Sequence, residues 1–423
     1  MKYSIVTFGC RVNQADSLRL EEDLRARGAS AATTSDAEIV LVNTCSVTAT
    51  ADQGARQTIR RIARDNPTAR IVVTGCYATR CEQEVAALPN VVRVVRNGVK
   101  DGIAGELYGD GDGLTTARRF GQGDGACGSA IEPGVAGRTA FTLRVQTGCE
   151  ERCAYCIIPS TRGPGRSVPV GDVVREVERI AACGFREIAL TGVHLGSYGR
   201  DLQPRTSLVA LLRALDRSPA DVVFRISSLE PMDCTPAIVD LIASSGGRFA
   251  PHVHLPLQHA SDRVLAAMCR PYTLEYYRRL VDTIAGRLAH ASIGSDMIAG
   301  FPGESDADFR ANLDYLPSSP LTHLHVFPYS DRPGTAATAM AGKVAGSTIR
   351  ERGGALRKIG ASLATRFRES QVGTVRPGLT LEDGSLVVTD NYLKVRIAPG
   401  LARNERVHVR INQAGETLRG ELV

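Results

Sequence analysis

Three cysteines within eight residues, Cys149, Cys153 and Cys156, constrain this chain more than any other feature. They are spaced C-x3-C-x2-C in the stretch Gln146-Thr147-Gly148-Cys149-Glu150-Glu151-Arg152-Cys153-Ala154-Tyr155-Cys156. The alternating run Phe141-Thr142-Leu143-Arg144-Val145 leads into them as a strand. Thiolates are soft ligands and favour iron–sulfur clusters, zinc and copper(I). A closed zinc site needs four ligands, and no fourth Cys or His follows at a short spacing. Three thiolates can hold three corners of a four-iron–four-sulfur cubane and leave the fourth iron open to a substrate or cofactor. The bland alternatives are an incomplete zinc knuckle or three core cysteines. A turn rich in glycine and charge makes a poor core segment.

With Tyr155 just before the last cysteine, the stretch resembles the signature of the radical S-adenosylmethionine (SAM) superfamily. The resemblance implies that the open iron chelates the amino and carboxylate groups of SAM. One electron then cleaves SAM to a 5′-deoxyadenosyl radical. Such chemistry belongs to the cofactor, while the protein positions it and excludes competing reactions.

A chain of 423 residues predicts two to four domains. Met1-Lys2-Tyr3-Ser4-Ile5-Val6 runs into a strand-like pattern without the apolar region of a signal peptide. No apolar run approaches the ~18 residues of a membrane span. A cytoplasmic protein with no membrane partner is expected. Eleven cysteines is an odd count, and reduced thiols serving metal sites explain it better than a disulfide framework. The net charge of +6 fits a polyanionic partner without requiring one.

Residues 1–105 repeat one pattern three times, an apolar run that ends in a cysteine. The runs are Ser4–Cys10, Ile39–Cys45 and Ile71–Cys76, with helix-like segments over Ala15–Arg27 and Ala51–Arg64 between them. Strand–helix alternation with near-continuous β-branched runs predicts a parallel-sheet α/β domain. Ligands of such sheets bind beyond the carboxyl ends of the strands. Cys10, Cys45 and Cys76 therefore form a second candidate cluster site, unless they are simply small buried hydrophobes. Cys81 is expected to be a bystander. Residues 106–138 are Gly-rich and read as a flexible linker, with Cys127 in it unliganded.

Residues 139–371 alternate again. Strands are expected over 141–147, 186–191, 222–228, 251–257, 292–299 and 321–328. Helices are expected over 172–183, 207–217, 236–244, 262–268, 274–289 and 306–316. Six such units predict a partial (β/α)6 barrel with its active residues at the strand carboxyl ends. Thr191-Gly192-Val193-His194, Ser227-Ser228-Leu229-Glu230 and Gln258-His259 lie at those ends. His194 and His259 are catalytic candidates or plain structural histidines. Glu230 is an amine ligand for SAM or a helix cap. The basic segment 343–371 is a solvated helix face or a phosphate-contacting one. Residues 372–423 change period, with strands over 374–381, 385–398 and 406–411. They predict a small antiparallel β-barrel, on which Tyr392 is placed to stack on a base and Arg376, Lys394, Arg396, Arg403, Arg406, Arg410 and Arg419 are basic.

Two cysteine triads in this order, followed by a terminal barrel, resemble the methylthiotransferases of the radical SAM class. The resemblance is carried by Phe8-Gly9-Cys10-Arg11-Val12-Asn13-Gln14, Asn43-Thr44-Cys45-Ser46-Val47-Thr48, Thr74-Gly75-Cys76-Tyr77-Ala78 and the Cys149 stretch. Further matches are His254-Leu255-Pro256-Leu257-Gln258, Gly300-Phe301-Pro302-Gly303-Glu304, Phe327-Pro328-Tyr329-Ser330 and Asn391-Tyr392-Leu393-Lys394-Val395. It implies an N-terminal cluster-binding domain, a radical SAM barrel over 139–371 and an RNA-binding TRAM barrel over 372–423. It also implies two 4Fe–4S clusters, on Cys10/Cys45/Cys76 and on the catalytic Cys149/Cys153/Cys156, two SAM molecules per turnover, tRNA as partner and a reducing electron donor protein. Tyr155, Thr191, Gly192, Ser228, Glu230 and Ile298 are the expected SAM-binding positions. Cys-Arg-Val-Asn-Gln resembles the branch that methylthiolates C2 of N6-threonylcarbamoyladenosine next to the anticodon. The same chemistry on N6-isopentenyladenosine or on a ribosomal-protein aspartate is the near alternative. A non-enzymatic iron–sulfur RNA-binding redox protein is the distant one. The chain departs from the pattern at His259-Ala260, where Ser-Gly is usual.

Overall fold

A computed structural model of the chain describes residues 1–108 and 139–423. Cys127 and most of the expected linker lie outside the described residues, while the helix Ile103–Tyr108 runs past position 105.

The first sheet has strands β1 (Lys2–Thr7), β2 (Ser30–Ala31), β3 (Ile39–Thr44), β4 (Arg70–Gly75) and β5 (Val91–Val95). Their order is β2-β1-β3-β4-β5, and every pair is parallel. All of β3 is buried. Its alternate residues face opposite sides. Val40 and Val42 meet Ile59 and Ile62 of the helix Ala49–Asp65, while Ile39 and Leu41 meet Leu20 and Leu24 of the helix Arg11–Ala26. Thr48 caps the Ala49–Asp65 helix, its hydroxyl accepting from the Ala51 N–H at 3.2 Å. The other helix starts four residues before the expected Ala15, with Cys10 as its N-cap. Its first turn is polar and hides the periodicity. Asn13 in that turn is buried because it donates to the Phe8 and Thr44 carbonyls, each at 2.9 Å.

Six further parallel strands form the second body. They are β6 (Phe141–Arg144), β9 (Glu187–Thr191), β10 (Val223–Ile226), β11 (His252–His254), β12 (Ser292–Ala299) and β13 (His323–Pro328). They pair as β10-β9-β6 and β11-β12-β13. A parallel bridge between Phe224 and Phe249 lies where the two sets meet. This is the expected partial (β/α)6 barrel, with the helices Val170–Ala182, Leu208–Arg217, Pro236–Ser244, Asp262–Ala267, Leu274–Arg287 and Asp306–Tyr315 between its strands. A short antiparallel pair, β7 (Gln146–Thr147) and β8 (Arg166–Ser167), brackets the Cys149 loop.

The basic segment is the helix Gly346–Ser370. Arg352 is buried in it against Glu304 (3.1 Å) and Asp306 (2.6 Å), and Arg366 donates to the Pro317 carbonyl at 2.8 Å. Part of the positive face is therefore internal. The chain then closes a five-stranded barrel from β14 (Val375–Leu381), β15 (Leu386–Thr389), β16 (Lys394–Arg396), β17 (Arg406–Gln413) and β18 (Leu418–Leu422). The single strand expected over 385–398 is two strands. Asn391 is buried and donates to the His290 carbonyl and Gln371 Oε1, both at 3.0 Å, and Tyr392 turns the chain with φ 69°. The closing strand β18 has no counterpart in the sequence reading.

Candidate active site

Strands β1, β3 and β4 lie side by side, so Cys10, Cys45 and Cys76 meet beyond the carboxyl ends of the first sheet's strands. Burial pushes the Cys45 thiol up to about 11, and Cys10 and Cys76 push it the same way. Asn97 Nδ2 lies 3.6 Å from Cys76 Sγ as a donor. Arg162 carries positive charge to Cys76 and Cys10.

Cys149, Cys153 and Cys156 follow Gly148, whose φ of 76° and close approach to the Pro164 carbonyl leave no room for a Cβ. The Glu151 N–H lies 3.4 Å from Cys149 Sγ, and Arg270 Nη1 lies 2.9 Å from Cys153 Sγ. Arg270 also pairs with Glu230 and donates to Tyr272 Oη at 3.0 Å. Burial pushes Cys156 up to about 12. Buried thiols this reluctant to ionise need a metal to displace their protons. Three soft donors per site, with N–H groups and a guanidinium aimed at sulfur, fit an anionic iron–sulfur cluster at each triad. The cysteines among the described residues are free thiols.

The two triads share an ionic hub. Asp16 sits among Lys100, Arg144 and Arg162, with Arg162 Nη2 3.1 Å from Asp16 Oδ2. Arg162 belongs to the short helix after the Cys149 loop, and Nη1 also donates to Thr147 Oγ1 at 3.2 Å. Burial works to raise the Asp16 carboxyl, but the three cations hold it far below the ordinary carboxylate range.

A cavity of about 610 Å3 joins the first sheet to the barrel interior, with Cys10, Thr191, Gly192 and Ser228 in its wall. Inward-facing residues of β11, β12 and β13 form its deep side. The registers His252↔Ser292, His254↔Gly294↔His323 and Asp296↔His325 line four histidines along one wall, two of them, His254 and His325, at the Asp296 carboxylate. A Cβ on Gly294 would strike the His323 imidazole. Asp296 Oδ1 lies 3.1 Å from both His254 Nε2 and His325 Nδ1, and His254 Nδ1 is 2.7 Å from Ser228 Oγ. Burial opposes ionisation of Asp296, yet the two imidazoles bring it down to about 2. Burial pushes His323 down to about 4. The donors of His254, Asp296 and His325 lie within 4.8 Å of one another, a spread that one divalent ion can also bridge.

Tyr392 of the terminal barrel reaches this cavity. Its ring centroid is 4.7 Å from the Arg225 guanidinium and 5.0 Å from the His252 ring, and its hydroxyl accepts from Arg11 Nη2 at 3.2 Å.

Residues 2–96 match the model described as uncharacterized protein family UPF0004, and residues 143–316 match the radical SAM superfamily. The chain is 33% identical to threonylcarbamoyladenosine tRNA methylthiotransferase MtaB of Aquifex aeolicus, over 94% of this chain and 96% of the relative. This chain belongs to the radical SAM methylthiotransferase family. The methylthiotransferase is also 32% identical to the MtaB of Bacillus subtilis, over 92% of this chain and 88% of that one. It is 34% identical to the tRNA-2-methylthio-N(6)-dimethylallyladenosine synthase of Sphingopyxis alaskensis, over 98% and 95%. Among solved structures, the radical SAM methyltransferase TsrM of Kitasatospora setae shares the fold, with a TM-score of 0.55, 17% identity and coverage of 80% of this chain and 77% of that one. The methylthiotransferase is a transferase whose cofactors are SAM and 4Fe–4S clusters.

Of the residues expected in the methylthiotransferase's SAM pocket, Thr191, Gly192 and Ser228 line the cavity. Glu230 reaches Cys153 through Arg270. Ile298 packs with Ala154, Phe301 and Tyr155 beside the Cys149 loop. His194 is buried next to Cys149, with Nε2 2.7 Å from Asp233 Oδ2. His259 is fully buried against Asn312, and Asn312 Oδ1 accepts from the Ala260 N–H at 2.7 Å. Cys81 packs against the first domain's core. The sequence reading quoted His254 within a motif but gave no role to it, to the other inward histidines, or to Arg270 and Asp296. The signal was present as His252-x-His254 and His323-x-His325, a period of two that puts each pair on one face of a strand.

Proposed function

We propose that the chain transfers a methylthio group to C2 of N6-threonylcarbamoyladenosine next to the anticodon of tRNA. The cavity carries this reading, because Cys10 of the first triad lines the same space as the barrel's strand ends. Its volume suits a substituted nucleobase turned out of its stack. Similarity to two threonylcarbamoyladenosine enzymes over 94% and 92% of the chain supports the branch, as does Cys10-Arg11-Val12-Asn13-Gln14.

C2 of adenine is neither acidic nor a good electrophile, so acid–base groups have little to act on. When bound, SAM and the two clusters supply the carbon radical that removes the C2 hydrogen and the methylthio group that replaces it. Cys149, Cys153 and Cys156 would hold the cluster that meets SAM, and Cys10, Cys45 and Cys76 the one that carries sulfur. Arg270 fixes Cys153 and Glu230 relative to each other. Tyr155, Thr191, Gly192, Ser228, Glu230 and Ile298 bound the SAM side. We divide the chain into a cluster-binding domain (1–105), a linker (106–138), a radical SAM domain (139–371) and an RNA-binding TRAM domain (372–423). Exposed Lys394, Arg396 and Arg419 support phosphate binding by that last domain, with Arg396 and Arg419 paired across β16 and β18. A reducing protein supplies electrons, and the cytoplasm is where tRNA and that donor meet. Among the described residues no helix is long and apolar enough to cross a membrane.

The similarity to the dimethylallyladenosine synthase over 98% of the chain favours a second reading, the same chemistry on prenylated adenine. Mass spectrometry of tRNA nucleosides from cells lacking the gene decides between them. Loss of 2-methylthio-N6-threonylcarbamoyladenosine, restored with the gene, is expected. Loss of the prenylated derivative instead would move the chain to the other branch.

A further inference from the structure

Two guanidiniums at the cavity stand out by what they lack. Buried arginines elsewhere in the fold have carboxylates: Arg162 has Asp16, Arg225 has Glu187, Arg332 has Asp52 and Arg352 has Glu304. Arg11 and Arg368 line the cavity half-buried and, among the described residues, have no carboxylate partner. Arg11 Nη2 donates to Tyr392 Oη at 3.2 Å, and Arg368 Nη2 donates to Thr365 Oγ1 at 2.9 Å. A guanidinium carries five N–H donors in a fork that matches a carboxylate, and each of these spends one on a neutral hydroxyl.

The same wall is short of partners in a second way. His252 Nδ1 and Ser227 Oγ are buried, belong to cavity-lining side chains and have no hydrogen-bond partner. Both atoms are free to bond a polar group that enters the cavity. Among the described residues Asp296 is the one carboxylate in the cavity wall, and it is already flanked by His254 and His325. Phe327, Phe367 and Tyr392 add aromatic faces to the lining.

We propose that Arg11 and Arg368 form a subsite for the carboxylate of an amino-acid arm on the target adenine, an inference that rests on the threonylcarbamoyl reading above. The subsite makes the two arginines specificity residues. A prenyl arm would shield both guanidiniums from water without replacing the lost hydrogen bonds, which is a stronger means of rejection than shape. Arg11 follows Cys10 directly, so a carboxylate bound there ties the arm to the cluster edge where the base must sit.

The test uses cluster-loaded enzyme and three anticodon stem-loop RNAs, whose adenine carries the threonylcarbamoyl arm as free acid, the same arm as carboxamide, or a prenyl arm. Wild type is expected to prefer acid over carboxamide by about 10²-fold in kcat/KM. In Arg11→Gln/Arg368→Gln that preference collapses through a raised KM for the acid, and an unchanged circular-dichroism spectrum and iron content show that the variant folds and loads its clusters. The single Arg368→Lys variant recovers part of the preference. Equal use of acid and carboxamide by wild type overturns the subsite and leaves the threonylcarbamoyl reading standing. A double variant that keeps the acid preference overturns it too. Turnover of the prenyl RNA alone overturns both.

Discussion

Arg270 touches a thiol, a carboxylate and a phenol at once, and no lysine can do this, because an ammonium is a compact point charge without the planar fork. Arg270→Lys is expected to lower 5′-deoxyadenosine formation by about 10–100-fold, the usual effect of losing a partner that orients a metal ligand. Iron analysis and SAM-cleavage assays on the loaded variant check it. Asp296 gives a pH signature. The hydrogen bond to Asp296 raises His325 above its ordinary 6.5, so that part of the contact is complete below 6.5 and fades as pH rises through the higher folded value. Asp296, brought down to about 2 from 3.8, contributes above 3.8 and loses its contribution as pH falls toward 2. The contact is therefore strongest between roughly pH 4 and 6.5. Thermal unfolding of wild type and Asp296→Asn across pH 5–8 should converge toward the alkaline end.

At the scale of elements, chemistry sits where parallel strands end, and this was the legible part of the sequence. The runs before Cys45 and Cys76 are nearly unbroken because both faces of β3 and β4 are covered, while the run before Cys10, on the half-covered β1, carries Ser4 and Thr7. Turn residues fixed the limits of most barrel elements, and the helix Pro236–Ser244 begins and ends as expected. The terminal barrel was harder to read. Its strands are short, and Asn391 and Tyr392 act through buried hydrogen bonds and ring contacts that no local pattern announces. The inward histidines were legible in period but their convergence depended on register between β11, β12 and β13. The two cysteine-bearing elements are expected to separate by function. Cys153→Ala should abolish SAM cleavage while iron remains at the first triad. Cys45→Ala should keep 5′-deoxyadenosine formation and lose sulfur insertion, as product analysis by mass spectrometry would show.

In the whole molecule, buried ion pairs join the first domain to the barrel. Asp16 meets Arg144 and Arg162 of the barrel, and Asp52 meets Arg332 at 2.6 Å. Asp16→Asn would leave Lys100, Arg144 and Arg162 crowded without their anion. A loss of about 3–5 kcal/mol is expected, because breaking a buried ionic group exposes the desolvation cost of what remains. Chemical denaturation of the metal-free protein, with limited proteolysis to follow separation of the domains, measures it. The depressed Asp16 carboxyl makes the same joint acid-sensitive, since its contribution is present above pH ~4 and is lost only as pH falls toward the lower folded value. Tyr392 extends the linkage to the third body. Its ring lies against Arg225 and His252, yet it belongs to the terminal barrel. The terminal barrel could therefore not be exchanged here like a detachable handle. A chimera carrying another protein's barrel would arrive with a missing tile in the reaction chamber, and grafting would succeed only if the tyrosine and its neighbours travelled together.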